Sequence, residues 1–428
     1  MSNYKFTGKN IACQHQLERE DYKNLVKIHV IELVFIIAFF FLLFEDSLSQ
    51  LWHNAKYLDE AFAAFGLILY LKTNDKPSLG IALPVLLFVA VGILGALMYP
   101  SQPFVAVFFD IFLCLKFFFS ILFGLAVAKI LTNQSLRILC AIAKALTLII
   151  FFLIICNFLF DIFPSQEYRF GVQVSKLFFS HSEHLAGLQV VLMALIIGNA
   201  PSEDKVSTVC VALSIFNIAF TLRYKALIAA LFAIVLLYIV MIKKQRFLKR
   251  YLVLFALMAL VIAWEQINVY FGDNVTARSA LSATSISIAM DHFPIGVGFS
   301  AFGSYMSRVY YSPIYSDYLI DNVYGLMNTE GGNLFISDTF WPMILGQGGF
   351  LGLFFFVWGL FAVYKKIEMK YETDVLAYAT ALYLLVYMLI QSTSSAAFVS
   401  PIAVPVGIVI GICLGYKPKN FCRKNNVT

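Results

Sequence analysis

The 428-residue chain is 61% hydrophobic and only 13% charged, against roughly 45–50% apolar and about 25% charged in a soluble domain. Its apolar residues come in blocks of about twenty, the length that crosses a ~30 Å hydrocarbon core as a helix. A soluble enzyme, a disulfide scaffold, a disordered segment and a nucleic-acid binder are excluded; the chain reads as a polytopic membrane protein, and its formal charge of +6 speaks first to loop orientation.

A polar N-terminus precedes the first apolar block with no cleavable signal-peptide pattern. In chain order, spans are expected near 26–44, 56–71, 79–99, 103–129, 136–160, 183–199, 206–222, 224–242, 249–267, 340–363, 374–391 and 398–416. The expectation is an all-α polytopic membrane fold of about 12 transmembrane helices. It forms a single integral membrane domain over 1–428, with one large folded loop between the ninth and tenth helices. Alternate loops are basic: Lys72 and Lys76, then Lys129 and Arg137, then Lys243, Lys244, Arg246, Lys249 and Arg250, then Lys365, Lys366 and Lys370, then Lys417, Lys419, Arg423 and Lys424. Only the loop with Glu203, Asp204 and Lys205 is weak in this respect. Positive charge collects on cytoplasmic loops, so both termini are expected in the cytoplasm.

The remaining loops then face outward. Two are long, 161–182 and 268–339, and connections beyond about 15 residues are uncommon unless functional or disordered. The larger is rich in Tyr, Phe, Gly and Asn and poor in charge, so it is expected to fold as a cap over an active site. The seven cysteines (Cys13, Cys114, Cys140, Cys156, Cys210, Cys413 and Cys422) fall in apolar spans or in the tails. They show no disulfide or zinc spacing. Asp110, Lys116 and Lys144 lie inside apolar spans, where a pair such as Asp110 with Lys144 would neutralise the charge.

Against the orientation trend, the outward segments carry Arg169, Arg223, Arg278 and Arg308 with Lys176 and Lys225. An arginine at membrane depth costs several kcal/mol unless it snorkels or finds an anion, and its planar fork matches phosphate oxygens bidentately. The plainer readings are snorkelling to headgroups or pairing with Asp273, Asp317, Asp321 or Glu330. The apolar spacing of Leu281, Ile288 and Met290 predicts a short amphipathic helix with Arg278, Ser282 and Ser285 on its polar face. Thr276 caps its start and Pro294 stops it; Gly296 and Gly298 follow in a tight turn with exposed N–H groups. Further on, Asp338 stands at the mouth of a span whose Gly346, Gly348, Gly349 and Gly352 permit close helix packing. His181, His184 and His292 occupy outward polar segments and rank below the arginines.

The combination resembles the O-antigen polymerase and O-antigen ligase superfamily. The resemblance lies in the many-span plan with one large late outer loop and in Arg278 followed by His292-Phe-Pro294-Ile-Gly296-Val-Gly298-Phe299. It also lies in Asp338 ahead of Gly349-Phe-Leu-Gly352 and in Arg223-Tyr224-Lys225 preceding a span. It covers about 210–360, the rest matching in hydropathy alone. In that family ligases carry a His eleven positions before the Gly-x-x-Gly; here that position is Asp338, followed by Thr339, which favours polymerase over ligase.

The resemblance implies transfer of a glycan from a polyprenyl-diphosphate carrier to a hydroxyl of a second carrier-linked unit, outside the cytoplasmic (inner) membrane of a bacterium. Arg278 and Arg223 would grip the diphosphate, with Arg169, Lys225, Arg308 and Tyr224 in support. Asp338 is the first choice of base, with His292, Glu330 and His181 behind it. Tyr305, Tyr310, Tyr311, Tyr315, Tyr318 and Trp341 would stack on sugar rings or pack the cap. No cofactor or metal is implied, since the arginines supply the charge. The implied partners are donor and acceptor lipid-linked oligosaccharides, membrane lipid, a chain-length regulator and a flippase, with no nucleic acid. The alternatives are a ligase passing the glycan to another acceptor and, from a different class, a lipid-linked oligosaccharide flippase. A flippase is expected to show internal repeats and short loops on both sides.

Overall fold

The computed structural model describes residues 30–73, 79–169, 171–199, 204–247, 251, 276–329 and 331–416. They are 73% helical with almost no strand. The first helices are α1 (Val30–Leu43), the short α2 (Glu45–Leu51), α3 (Leu58–Thr73), α4 (Leu79–Met98), α5 (Phe104–Val127) and α6 (Asn133–Phe160). Then come α7 (Ser182–Asn199), α8 (Lys205–Phe220), α9 (Tyr224–Leu237), α10 (Ala277–Asp291) and the single turns α11 (Tyr305–Val309) and α12 (Ile314–Asp317). The chain closes with α13 (Trp341–Lys370), α14 (Val375–Ser392) and α15 (Ala403–Gly415). The only strands among the described residues, β1 (Tyr168–Arg169) and β2 (Val172–Gln173), pair antiparallel with Tyr168 opposite Gln173.

Every expected span except the ninth coincides with a helix; 249–267 lies outside the described residues apart from 251, as does Glu330. Seven helices are long and apolar enough to cross a membrane: α4, α5, α6, α7, α9 with its π-helical continuation Tyr238–Ile242, α13 and α14. Helices α1, α8 and α15 are apolar but shorter, and α3 carries Asp59, Glu60 and Lys72 among its 16 residues. The described structure is that of an all-α membrane protein with seven helices of spanning length.

Polar contacts sort the loops into two ends. At one, Lys129 Nζ donates to the Thr73 carbonyl (2.8 Å), Glu32 accepts from the Thr132 N–H (3.1 Å), and Lys370 Nζ donates to the Tyr416 carbonyl (3.0 Å). Arg246 donates to the Glu368 carbonyl there, and Tyr416 reaches Asn133. At the other, the Ser180 N–H and hydroxyl donate to Asp46 (2.7 and 2.6 Å), and Trp341 Nε1 donates to Ser392 (3.0 Å). The basic loops thus share one end and the long loops the other.

Helices α7 and α14 are the central pair, each buried over most of its surface, which is what helices apolar on every face do. Helix α15 lies close along α5 because Gly407, Gly411 and Gly415 repeat every four residues on the contact face. A Cβ on Gly411 would fall 2.2 Å from the Ile121 carbonyl oxygen. Among lipids such small-residue stripes replace the hydrophobic drive that water would supply.

The segment after α10 is fastened through backbone. The N–H groups of Val297 and Gly298 donate to the carbonyls of Gly346 (3.1 Å) and Gln347 (2.8 Å), and the Leu351 N–H donates to the Pro294 carbonyl (3.1 Å). Helix α13 is interrupted at Gly349, whose φ of 60° and ψ of −165° open it to receive this turn. The expectation that the Gly296–Gly298 turn offers exposed N–H groups is therefore corrected: they are consumed in this junction. Asp110 completes it, accepting from the Ser300 N–H (2.6 Å) and Gln347 Nε2 (2.8 Å). The pairing of Asp110 with Lys144 is likewise corrected, because Lys144 pairs with Asp204 (2.6 Å). Lys116 pairs with Asp59 (2.5 Å) and lies 3.6 Å from Glu60. The described part of the large loop has its own apolar cluster around Leu281, Ile288, Phe302, Tyr315, Leu326 and Ile336.

Candidate functional site

Arg278 sits in the first turn of α10, which begins with a reciprocal cap: Thr276 Oγ1 accepts from the Ser279 N–H (3.2 Å) and Ser279 Oγ accepts from the Thr276 N–H (2.9 Å). The cap fixes the helix start and with it the direction of the guanidinium. Arg278 Nη2 donates to Asp338 Oδ2 at 3.4 Å, a long contact across 60 residues of sequence. Burial pushes the Asp338 carboxyl above its ordinary value; Arg278 and Arg308 oppose that rise, and Glu183 adds to it. Asp338 therefore lies within electrostatic reach of residues from three separate segments.

A second group adjoins it. Lys225, near the start of α9, donates to Ser395 Oγ (3.1 Å) and lies 3.4 Å from Glu183 Oε1, within electrostatic reach of Arg278 and Arg223. Arg223 donates to Ser182 Oγ (2.5 Å) and to Glu167 Oε2 (2.8 Å). The other oxygen of Glu167 accepts from Arg169 (3.0 and 2.8 Å), which also donates to the Leu222 carbonyl (3.3 Å). Five cationic side chains, Arg169, Arg223, Lys225, Arg278 and Arg308, are thus gathered with Glu167, Glu183 and Asp338 among the described residues. Carboxylates and backbone hold these guanidiniums in place, and the cations outnumber the acids, so the network keeps an excess of positive charge.

Two openings flank this network. A cleft of about 590 Å³ is lined by Arg278, Ser282, Ser285, Trp341, Thr393 and, along α13, Leu353 and Val357. It joins a polar head to an apolar flank that continues into exposed Phe354 and Trp358. A larger cavity of about 1080 Å³ is lined by Arg308, Glu183, His181, His184, Tyr305 and Tyr310, and reaches down to Asp110 and Lys116. His184 lies 3.4 Å from Asp46.

The structure brings Arg169, Arg223, Lys225, Arg278, Arg308 and Asp338 together, with Tyr224 beside Arg223 in the chain. It does not bring His292. That residue caps the far end of the 15-residue α10, ~20 Å from Arg278 at 1.5 Å per residue. There its ring meets Tyr99 at 4.3 Å in a separate cleft of about 620 Å³ with Asp291 and Tyr318. Of the aromatics, Tyr315 is fully buried and bonded to the Gly303 N–H (2.9 Å) and Ser307 (2.7 Å). Tyr311 donates to the Leu326 carbonyl (2.7 Å) and Tyr318 to Asp291 (2.8 Å). These three hold the cap, leaving Tyr305, Tyr310 and Trp341 at the openings.

Sequence reasoning passed over Glu167 and Glu183, the acids that organise the cations. Glu183 was legible only as an acid at the start of an apolar block. It also passed over a buried group at the base of the cavity, Glu45, Asp59 and Glu60 around Lys116. Burial and the carboxylates of Asp59 and Glu60 push the Glu45 carboxyl up to about 9. Neither a protein-family model nor a curated protein sequence matches the chain.

Proposed function

We propose that the protein is a membrane glycosyltransferase that polymerises polyprenyl-diphosphate-linked oligosaccharide units into a surface polysaccharide, such as O-antigen or capsule. The observation that carries this reading is a run of five cations from separate segments, Arg278 and Arg308 acting on Asp338 and Lys225, Arg223 and Arg169 joined to them through Glu183 and Glu167, beside a cleft that is polar at one end and apolar along α13. A lipid diphosphate has that same two-part chemistry. In this reading both termini are cytoplasmic and the cap lies over a site facing the periplasm or exterior of a bacterial inner membrane.

The chemistry follows from the groups present. The acceptor hydroxyl oxygen attacks the anomeric carbon of the donor glycan. The carbon–oxygen bond to the diphosphate breaks, and the diphosphate leaves with the electron pair. Arg278, Arg223 and Arg169 stabilise the charge that grows on it, and Asp338, its carboxyl ionised, takes the proton of the acceptor hydroxyl. A fixed donor of this kind is worth about 10²–10³ in rate, and a positioned base about 10²–10⁴.

The test is complementation of a deletion strain with Arg278→Ala and Arg278→Lys, reading surface glycan on gels and protein level by blot. Both variants are expected at normal level without long polymer, lysine failing because an ammonium lacks the planar fork. Polymer of unchanged length and amount rejects the clamp. The phenotype of the deletion itself separates the neighbouring activities. Single-repeat product supports a polymerase, carrier-bound polymer a ligase, and lipid-linked units held inside a flippase.

A further inference from the structure

We propose that the cap is seated in the bilayer through the end of α10. Ile286, Met290 and Phe293 face lipid acyl chains, and the turn that follows lies below the membrane surface, so this stretch re-enters the membrane from the end that carries the long loops.

Ile286, Met290 and Phe293 are spaced by four and three residues, which puts them on one side of the helix and its exit. They are 52%, 62% and 71% exposed, whereas Leu281, Ile288 and Ala289 of the same helix are fully buried. The stripe does not stand alone. The Phe293 ring meets Phe350 of α13 at 6.1 Å, and exposed Phe354 lies one turn further along that helix. On the other side the His292 ring meets Tyr99, which follows the exposed Leu94, Leu97 and Met98 of α4. Helices α4 and α13 are both long and apolar enough to cross a membrane. Their exposed apolar faces are therefore hydrocarbon-facing, and the α10 stripe continues them without a break. A contiguous apolar surface marks a contact site, and both flanks make the partner here lipid. Ile286 also lines the cleft of Arg278, so the stripe runs from that cleft to α4.

Backbone contacts fix the depth. The Phe299 N–H donates to the Gly92 carbonyl (3.4 Å). Gly92 lies six residues before the end of α4 at Met98, about 9 Å inside the span at 1.5 Å per residue. The Pro294 carbonyl accepts from Leu351, ten residues beyond the start of α13 at Trp341. Irregular backbone at membrane depth is tolerated only where protein buries it, and residues 296–304 are buried without exception. Asp291, in the last turn of α10, is held on the cap side, where it accepts from Tyr318 (2.8 Å) in the cleft with Pro100, Ser101 and Asp317. Charge toward the cap and apolar side chains toward the flank set the water boundary at this turn, as in an interfacial helix.

Fluorescence quenching in proteoliposomes tests the assignment. With native cysteines replaced by alanine, Met290→Cys, Phe293→Cys, Phe354→Cys and Asn328→Cys each carry one small fluorophore. Phe354→Cys on α13 is the lipid reference, and Asn328→Cys, exposed in the cap, is the aqueous one. Labels at Met290→Cys and Phe293→Cys are expected to lose most of their emission to phosphatidylcholine carrying a nitroxide high on its acyl chain, as at Phe354→Cys, and to keep it in iodide. The Asn328→Cys label should do the reverse. Both replaced side chains are exposed, so neither variant opens a cavity, and each suffices should the other express poorly. Iodide quenching as strong as at Asn328→Cys would put the segment above the membrane, and protection from both quenchers would mean that protein covers the stripe. Either result overturns the proposal, whatever Arg278→Ala shows about the transferase reading.

Discussion

A single methyl group decides whether the junction around Gly298 closes. At φ +89° a Cβ there would lie 2.0 Å from the Ala96 nitrogen, a backbone atom that cannot swing aside. Gly171 has a similar φ of +74° but nothing within 4 Å. Gly298→Ala is expected to lose folded protein, at a cost of at least about 2–3 kcal/mol from strain and overlap together. Gly171→Ala should cost only about 1 kcal/mol, the left-handed penalty alone. Thermal unfolding in detergent compares them, and equal Tm losses would contradict the packing account. Asp338 gives a pH-dependent case. Burial raises its folded carboxyl, so its contribution to stability is full below the unfolded value of about 3.9 and is lost as pH rises through the folded one. Asp338→Asn cannot ionise, so its Tm relative to wild type should climb between pH 4 and pH 8 while polymer formation stops. In wild-type membranes the acid limb of polymer formation should lie above the ordinary aspartate range; a limb near pH 4 would remove Asp338 as base.

Helices α3 and α5 are tied by Lys116, 1% exposed, against Asp59, also 1% exposed. Removing one member of a buried pair typically costs about 3–5 kcal/mol, whereas replacing both with apolar residues is often neutral. Lys116→Met is therefore expected to lower yield and Tm sharply, and Lys116→Met with Asp59→Leu to recover most of the loss. A double variant as unstable as the single would show that the charge itself is needed. This pair also marks where sequence reading ends. Hydropathy gave the depth of Asp110, Lys116 and Lys144 in the membrane plan, but partner choice depends on which way each helix is turned, and no periodicity encodes that. Depth alone made Asp110 and Lys144 a reasonable match; rotation gave each a different partner. The helix carrying Arg278 was legible from its own cap and from Leu281 and Ile288, both buried, because those signals are local; the expected faces hold only in part, since Met290 is exposed and Ser285 buried. The use of the glycine-turn N–H groups was not legible, because their acceptors lie some fifty residues onward.

Across the whole molecule, the division of loops into two ends was readable from basic charge alone and reappears in the contacts of Lys129, Arg246 and Lys370. Its sidedness is measurable. With native cysteines replaced by alanine, Gln166→Cys and Asn328→Cys, both exposed, should react with an impermeant maleimide on intact cells. Glu372→Cys, exposed at the other end, should react only after permeabilisation. Labelling of all three on intact cells would undo the orientation. The interrupted helix α13 has a further consequence for how the protein is made. Gly95, Gly298 and Gly349 are brought together by backbone from early, late and later stretches of the chain. An α4 already threaded into the bilayer must wait, with that face unfilled, until translation has passed residue 351. Nascent chains stalled before that point would present an unclosed seam to the membrane's quality-control proteases, so synthesis through α13 is the step that commits the molecule to survival.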